Sequence, residues 1–390
     1  MPRSHAIAPL ALAFFASAVA AVLPAQAQTL DWANAAYRPV HQASGYQAGT
    51  HRSAVRDPAS GHFIQASACH VDFQYGACVT KVNGSTGSTI WSQFIAWPNE
   101  GTLPALAVDA SGNAFVGQRC EEAGGNGYCV ARLQAATGVI QWTASLDEPD
   151  TNLGFANIAV EPSGHPVVAG TCHTGFKAEP CISKFDGSNG TTLWSRRLDW
   201  GDMSDLSRVR ALATDGSGNV LVAGDCDLGF ESLFGTSACI EKLASATGST
   251  LWQAAVDPTA GDSPERFDDI ALFSNGDVAA AGSCSNATCT FRIAGGTGAV
   301  LWQGLSTGVS NPAARVRVDA TGHVVSIARC LGANVNNMCF ERRDGSTGGL
   351  LWSTSYSAGT LDDSPSDLAV GSGGALFVAG YCSRDFLAHT

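Results

Sequence analysis

The feature that most constrains this chain is a tryptophan that returns on a nearly fixed spacing. Trp91, Trp142, Trp194, Trp252, Trp302 and Trp352 lie 51, 52, 58, 50 and 50 residues apart. Each closes a segment of one pattern, seen in CVTKVNGSTGSTIW (78–91), CISKFDGSNGTTLW (181–194) and CIEKLASATGSTLW (239–252). A second module precedes it and starts seven times. LAVDASGNAFVGQRC (106–120), LATDGSGNVLVAGDC (212–226) and LAVGSGGALFVAGYC (368–382) are examples, and the others begin near residues 54, 158, 270 and 316. A period of this size marks a stack of one supersecondary unit whose copies bury their apolar faces on each other.

Each unit reads as four short strands. An apolar run ends in a Ser-Gly-Asn-like turn, and a second run ends in cysteine. A third strand starts at the next cysteine and ends near Thr-Gly, and the fourth carries the tryptophan. Glycine at the turns supplies positive φ without steric cost. Strands such as NVLVAGDC are apolar on both faces, as strands packed between neighbouring sheets must be. No stretch shows helical periodicity with caps. The expected fold is all-β, a seven-bladed β-propeller of four-stranded antiparallel blades. A β-solenoid is the alternative, but its turns are usually shorter. The last unit reaches Cys382 and leaves room before Thr390 for a short third strand, Phe386 to His389, but not for a fourth, and an incomplete last blade is the alternative to closure by the N-terminus. Thr29-Leu30-Asp31-Trp32 resembles the tryptophan strand of the other units, so the N-terminal strand is expected to close the ring, with Trp32 as the seventh repeat tryptophan.

Six cysteine pairs flank the loop between second and third strands: Cys69/Cys78, Cys120/Cys129, Cys172/Cys181, Cys226/Cys239, Cys284/Cys289 and Cys330/Cys339. The intervening lengths are 8, 8, 8, 12, 4 and 8 residues, and none has C-x2-C spacing, so disulfides are expected rather than a metal site. Cys382, the thirteenth cysteine, has no local mate. Three residues after each second cysteine stands a cation: Lys81, Arg132, Lys184, Lys242, Arg292 and Arg342. Identical placement in every copy points to a structural role, pairing with or stacking on one neighbour, more than to a ring for an anion.

Residues 1–27 read as a leader: Arg3, an apolar run from Ala6 to Val22, then Ala25-Gln26-Ala27 as a cleavage site. The expectation is one secreted or periplasmic domain over 28–390, without a membrane span. A net charge of −12 excludes a nucleic-acid surface, which needs clustered Lys and Arg.

KVNGSTGSTIW and RLQAATGVIQW resemble the repeat of PQQ-like β-propellers, and the L-A-V-D-x-S-G-N-x-x-V-A-G module resembles the SBBP-type repeat of exported bacterial proteins. Together the two cover nearly the whole chain after the leader. The resemblance implies the fold and a tryptophan docked between blades; fold alone does not imply function. The group includes quinone-dependent dehydrogenases, which are larger, carry adjacent cysteines over the quinone and bind calcium. No two cysteines are adjacent here. PQQ and calcium are therefore not expected as cofactors.

Variable loops on a rigid scaffold are where binding concentrates. The disulfide-bearing face holds those loops and is the candidate functional face, for a protein or carbohydrate partner. Its links are acidic: Asp147, Glu148 and Asp150; Asp199, Asp202 and Asp205; Asp257, Asp262, Glu265, Asp268 and Asp269; Asp362, Asp363 and Asp367. One residue before each first strand stand Ser53, Ala105, Asn157, Ala211, Asp269, Arg315 and Asp367. Asp269, Arg315 and Asp367 break the repeat symmetry and, with Asn157, are the candidate ligand contacts; an ion pair closing the ring is the competing reading. His62, His165 and His323 occupy the turn position held elsewhere by Asn and read as turn residues, while His70 and His173 follow cysteines. No catalytic residue is singled out. A monomeric, non-catalytic binding scaffold is the expectation; a small propeller enzyme, quinone-dependent or a hydrolase or lyase using the acidic face, is the alternative.

Overall fold

The computed structural model describes residues 54–71, 74–97, 104–122, 125–147, 154–174, 177–201, 207–226, 236–256, 265–284, 287–307, 315–331, 336–357, 362–370 and 376–382. The leader, Thr29 to Trp32, Ser53 and the linkers holding Glu148, Asp150, Asp202, Asp205, Asp257 and Asp262 lie outside them, as do the side chains of Asp147, His70, His173 and Cys382.

Every element among the described residues is a strand. The first sheet holds β1 (Ala54–Arg56), β2 (Phe63–Val71), β3 (Gln74–Val82) and β4 (Thr89–Ala96). The second holds β5 (Ala105–Val108), β6 (Ala114–Glu122), β7 (Gly125–Leu133) and β8 (Ile140–Asp147). The third holds β9 (Gly154–Val160), β10 (Pro166–Thr174), β11 (Lys177–Phe185) and β12 (Thr192–Arg197). The fourth holds β13 (Arg208–Thr214), β14 (Val220–Cys226), β15 (Ser237–Leu243) and β16 (Thr250–Val256). The fifth holds β17 (Arg266–Leu272), β18 (Val278–Cys284), β19 (Ala287–Ile293) and β20 (Val300–Thr307). The sixth holds β21 (Arg315–Val318), β22 (Val324–Leu331), β23 (Asn336–Arg343) and β24 (Leu350–Tyr356). β25 (Asp363–Val370) and β26 (Leu376–Cys382) pair as a two-stranded sheet. All seven are antiparallel meanders in sequence order, and the first strands of successive sheets are neighbours. This is the arrangement of propeller blades.

The second and third strands are the most buried in the fourth and fifth sheets. β14 and β18 are buried at every residue, because each has a neighbouring sheet on both faces. Small residues let the sheets approach: Ala279, Ala280 and Ala281 are all 0% exposed. The fourth strands are more exposed, as in β16, where Trp252 is buried between exposed Leu251 and Gln253.

All six expected disulfides form. Cys69–Cys78, Cys120–Cys129, Cys172–Cys181, Cys226–Cys239, Cys284–Cys289 and Cys330–Cys339 have Cα–Cα separations of 5.7–5.8 Å. Each joins the end of a second strand to the start of the third, so the six staples share one side of the molecule. The first–second and third–fourth turns lie on the opposite side. The disulfides brace the candidate face from beneath. Cys129 packs with Cys120 among Leu106, Val116 and Ala131, and Cys289 with Cys284 among Ala238, Phe267 and Phe291. Cys181 and Cys172 are buried against Tyr128 of the preceding blade. The strand ends that carry them are covered by the neighbouring sheet, so the sulfurs add apolar contact to the cross-link. Cys339, half-buried, is the least enclosed of the twelve.

The repeat residues form a clasp between blades. In the turn from third to fourth strand, one residue is held at both its backbone groups. Its amide donates to the residue closing the first–second turn of its own blade: Gly84 to His62 Nδ1, Ala135 to Asn113, Gly187 to His165 Nδ1, Ser245 to Asn219, Gly295 to Asp277 and Gly345 to His323 Nδ1. A histidine ring nitrogen and an amide or carboxylate oxygen thus serve the same purpose, which explains why histidine replaces asparagine there. In the second to sixth blades, the carbonyl of the same residue accepts the Nε1–H of the preceding blade's tryptophan. Trp91 reaches Ala135 at 3.0 Å, Trp142 reaches Gly187 at 3.0 Å, and Trp194 reaches Ser245 at 2.9 Å. Trp252 reaches Gly295 at 3.0 Å and Trp302 reaches Gly345 at 2.8 Å.

The repeat cation completes the clasp. Each pairs with the carboxylate that opens the first–second turn of its own blade or, for Arg292, closes it: Lys81 with Asp57, Arg132 with Asp109, Lys184 with Glu161, Lys242 with Asp215, Arg292 with Asp277 and Arg342 with Asp319. Lys81, Lys184, Lys242 and Arg292 also donate to the carbonyl that receives the tryptophan. The cations are therefore structural, paired with carboxylates rather than stacked on tryptophan; Arg132 and Arg292 lie instead over Phe115 and Phe273.

Candidate functional site

The first strands begin on the stapled side, and there the repeat loses its symmetry. The registers of β9, β13, β17 and β25 shift between Phe155 and Asn157, Val209 and Ala211, Phe267 and Asp269, and Pro365 and Asp367. Each shift is a bulge that leaves one residue unpaired and turns its side chain, a device common near functional sites. Arg210 and Asp268 occupy it in the fourth and fifth blades. The bulge also explains the glycine two residues before the first cysteine of these blades. A Cβ on Gly224 would collide with the Arg208 carbonyl, and one on Gly282 with the Arg266 carbonyl.

Two charged groupings result. In the first, Arg210 Nε donates to Asp225 Oδ1, and its Nη1 lies 3.7 Å from Asp268 Oδ1. Arg266 Nε donates to the same Asp268 oxygen at 2.9 Å. Burial raises the Asp268 carboxyl above the ordinary range, against the lowering pull of Arg266, Arg210 and Arg315. For Arg210, burial opposes the charge, but Asp225 and Asp268 outweigh it and its pKa is raised.

In the second, Arg317 spans three blades. Its Nη1 donates to Asp269 Oδ2 at 2.5 Å and its Nη2 to Asp367 Oδ1 at 2.8 Å. Asp269 Oδ2 also accepts the Val316 amide, and Asp367 Oδ1 the Leu368 amide. The cation between Asp269 and Asp367 is therefore Arg317, not the Arg315 that counting back from the strand starts suggests. Arg315 is buried, and its charge bears on Asp268. Arg210 and Asp225 extend the charged region into the fourth blade. Asn157 stands apart: its Oδ1 accepts the Ile158 amide in the third blade, and it is buried. Ala105 and Ala211, at the equivalent places, are buried as well.

Arg317 had a signal in the sequence. Two residues past the positions compared above, the other units carry Val55, Ala107, Ala159, Ala213, Ala271 and Ala369. An arginine where every other copy has a small apolar residue is a departure that a comparison of register shows. Arg210 had none, because the bulge that turns it cannot be counted from the repeat.

Of the acidic linkers, Asp363 is buried and Asp362 accepts the Asn336 amide at 2.9 Å. Among the described residues no group of three or more His, Cys, Asp or Glu is placed to hold a metal ion. No described helix is long and apolar enough to cross a membrane.

Comparison with known proteins agrees with this architecture. Residues 76–347 match a family model described as outer membrane protein assembly factor BamB. Among solved structures, a protein from Lactobacillus plantarum shares 16% identity at a TM-score of 0.51, covering 77% of this chain and 82% of its own. BamB from Moraxella catarrhalis shares 15% identity at a TM-score of 0.40, over 85% of this chain and 99% of its own. Quinohemoprotein alcohol dehydrogenase from Comamonas testosteroni shares 12% at 0.44, over 78% and 67%. No curated protein matches the sequence.

Proposed function

Because this chain belongs to the PQQ-like β-propeller family whose matching model is described as outer membrane protein assembly factor BamB, we propose that it is an exported, non-catalytic binding scaffold that meets its partner on the stapled face. The observation that carries the reading is the division of labour between the two faces. On the turn face the repeated polar groups are engaged in the clasp. On the stapled face six disulfides brace loops of unequal length, and the charged groupings of the fourth to seventh blades depart from the repeat. Rigid support beneath variable loops suits recognition. The contacts proposed for the ligand are Asp269, Arg315 and Asp367, with Arg317 added between the carboxylates and Asn157 on the third blade. An assembly-factor description favours a protein over a carbohydrate as partner.

The proposal takes the protein as a monomeric seven-bladed ring, released outside the cytoplasm after cleavage behind Ala27. Thr29 to Trp32 supplies the outer strand of the seventh blade. Gly87 supports this closure: it has a φ of 70° and is buried like the other turn glycines, each of which lies under the tryptophan of the preceding blade. Trp32 is the residue proposed to lie on it. No cofactor belongs to the proposal, since Asp269 and Asp367 are engaged by a guanidinium. Absorption spectroscopy and metal analysis of the purified mature protein test this. The expected result is neither quinone absorbance nor stoichiometric calcium. A bound quinone, or one calcium per chain, would favour the dehydrogenase reading and sink this one.

A further inference from the structure

Two of the blade joints are built on a group that titrates. The Gly187 and Gly345 amides donate to Nδ1 of His165 and His323 at 2.9 and 3.2 Å. A ring nitrogen that accepts a hydrogen bond carries no proton, so each imidazole is neutral with its proton on Nε2. The Gly187 carbonyl receives Trp142 and the Gly345 carbonyl receives Trp302, so these two peptides tie the second blade to the third and the fifth to the sixth. At the other joints an oxygen takes the amide: Asn113 for Ala135, Asn219 for Ser245 and Asp277 for Gly295. The asparagines do not titrate. Burial raises the Asp277 carboxyl, but the Gly295 amide, Asn275 and Arg292 outweigh it, and it stays ionised where an imidazole changes charge.

A second difference accompanies these histidines. The residue just before the clasp residue is Asp186 in the blade of His165 and Asp344 in that of His323, whereas Gln134, Ala244 and Ala294 stand there in the blades closed by Asn or Asp. Asp344 Oδ2 lies 3.7 Å from His323 Nδ1. Both carboxyls are held below the ordinary range, Asp186 first by the Ser188 hydroxyl and Asp344 first by the Thr347 amide, with the neighbouring imidazole adding to each. The other described charges of the surrounding turns are engaged with one another: Glu161 with Lys184, Asp109 with Arg132 and Asp215 with Lys242 around His165, and Asp319 with Arg342 and Asp277 with Arg292 around His323. His62 takes the Gly84 amide, but Asn83 precedes that glycine, so the third histidine lacks the carboxylate. We infer that His165 and His323 are acid-responsive latches on two blade joints: a solvent proton taken up at Nδ1 ends its acceptance of the glycine amide and turns it into a donor to the aspartate. The amide is left without its acceptor, and the joints between second and third and between fifth and sixth blades loosen on the turn side. The joints closed by Asn113, Asn219 and Asp277 do not respond. The device lies on the face opposite the staples and does not depend on recognition there.

Residue-resolved NMR hydrogen exchange of the full mature chain, corrected for the intrinsic pH dependence of exchange, tests this. Between about pH 7.5 and about pH 5.5, protection of the Gly187 and Gly345 amides should fall at least about fivefold, the loss of one hydrogen bond, while Ala135, Ser245 and Gly295 keep theirs. His165→Asn, which installs the acceptor used in other blades, should abolish the response at Gly187 alone, and His323→Asn that at Gly345 alone. Asp344→Asn should move the Gly345 response to lower pH, because the protonated ring loses its partner. Nitrogen shifts of the two imidazoles at neutral pH should report the Nε2–H form, a readout that needs no variant. Unchanged protection at Gly187 and Gly345, an equal fall at all five amides, or a response at Gly187 that persists in His165→Asn overturns the inference. So does an Nδ1–H form at neutral pH, or a Gly345 response that Asp344→Asn leaves in place.

Discussion

At Gly248 the repeated Thr-Gly dipeptide meets two demands at once. Its φ is +66°, which side chains with a Cβ rarely adopt, and an added Cβ would lie 2.7 Å from the Trp194 ring. Gly248→Val should therefore lower stability by about 2–4 kcal/mol, within the range for combined backbone strain and overpacking. Urea unfolding measures it, and an unchanged midpoint contradicts the clasp. Asp57 makes a second prediction. Burial raises its carboxyl, but Lys81, Ser60 and the Ala59 amide outweigh that and lower its pKa to about 2. Asp319, with Thr321, the His323 amide and Arg342, is likewise held at about 2 despite burial. A folded pKa below the unfolded value means stability that is present above about pH 4 and lost as pH falls through about 2. Asp57→Asn should cost roughly 1–2 kcal/mol at pH 7 and progressively less toward pH 2. A cost that does not change with pH would show that the charge of Asp57 does not contribute. At this scale the sequence was legible in its period: tryptophan, cation, cysteine and glycine each recur at one spacing. What the cation touches was not, because its partner sits 24 residues back in Lys81 and Asp57, across two strands.

The strands themselves were legible from the apolar runs and the turns between them. So were the disulfides, since a pair of cysteines at either end of a short hairpin loop has few other mates. Their depth was not, because the neighbouring sheet that covers Cys129, Cys181 and Cys289 is a whole repeat away in sequence. Peptide mapping under non-reducing conditions should recover six linked pairs, Cys69–Cys78 through Cys330–Cys339. Loops this short should contribute roughly 2–3 kcal/mol each in a chain-entropy account. Linkage between blades, or free thiols at most of these positions, would contradict the hairpin pairing. The bulges were not legible. A one-residue shift such as that between Val209 and Ala211 leaves no mark in the apolar pattern, yet it decides that Arg210 rather than Ala211 reaches Asp225 and Asp268. The asymmetric charges of the first strands could be counted, but their pairing could not. Arg315 and Arg317 are two residues apart on one strand, and they act on Asp268 and on Asp269 with Asp367 respectively.

For the whole molecule, the repeat makes one face uniform and leaves the other free to vary. The turn face is fixed by the clasp, blade after blade, and its exposed groups differ little between copies. The stapled face carries the unequal loops and the charged groupings, which is why recognition is proposed there. The Asp269–Arg317–Asp367 grouping, with the Asp367 side chain 41% exposed, is weak evidence for stability, because solvent screens the attraction where it is exposed and desolvation opposes it where it is not. Their presence where other blades carry uncharged residues is better matched to the proposed recognition surface. The most direct measurement is site-specific photo-crosslinking in the cell of origin. One probe replaces Leu331, 64% exposed beside the Cys330 staple, and another replaces Val139, 57% exposed at the opposite turn. The account predicts a discrete adduct from position 331, reduced by Arg317→Ala, and none from position 139. Equal adducts from both positions, or an adduct from position 139 alone, would contradict it.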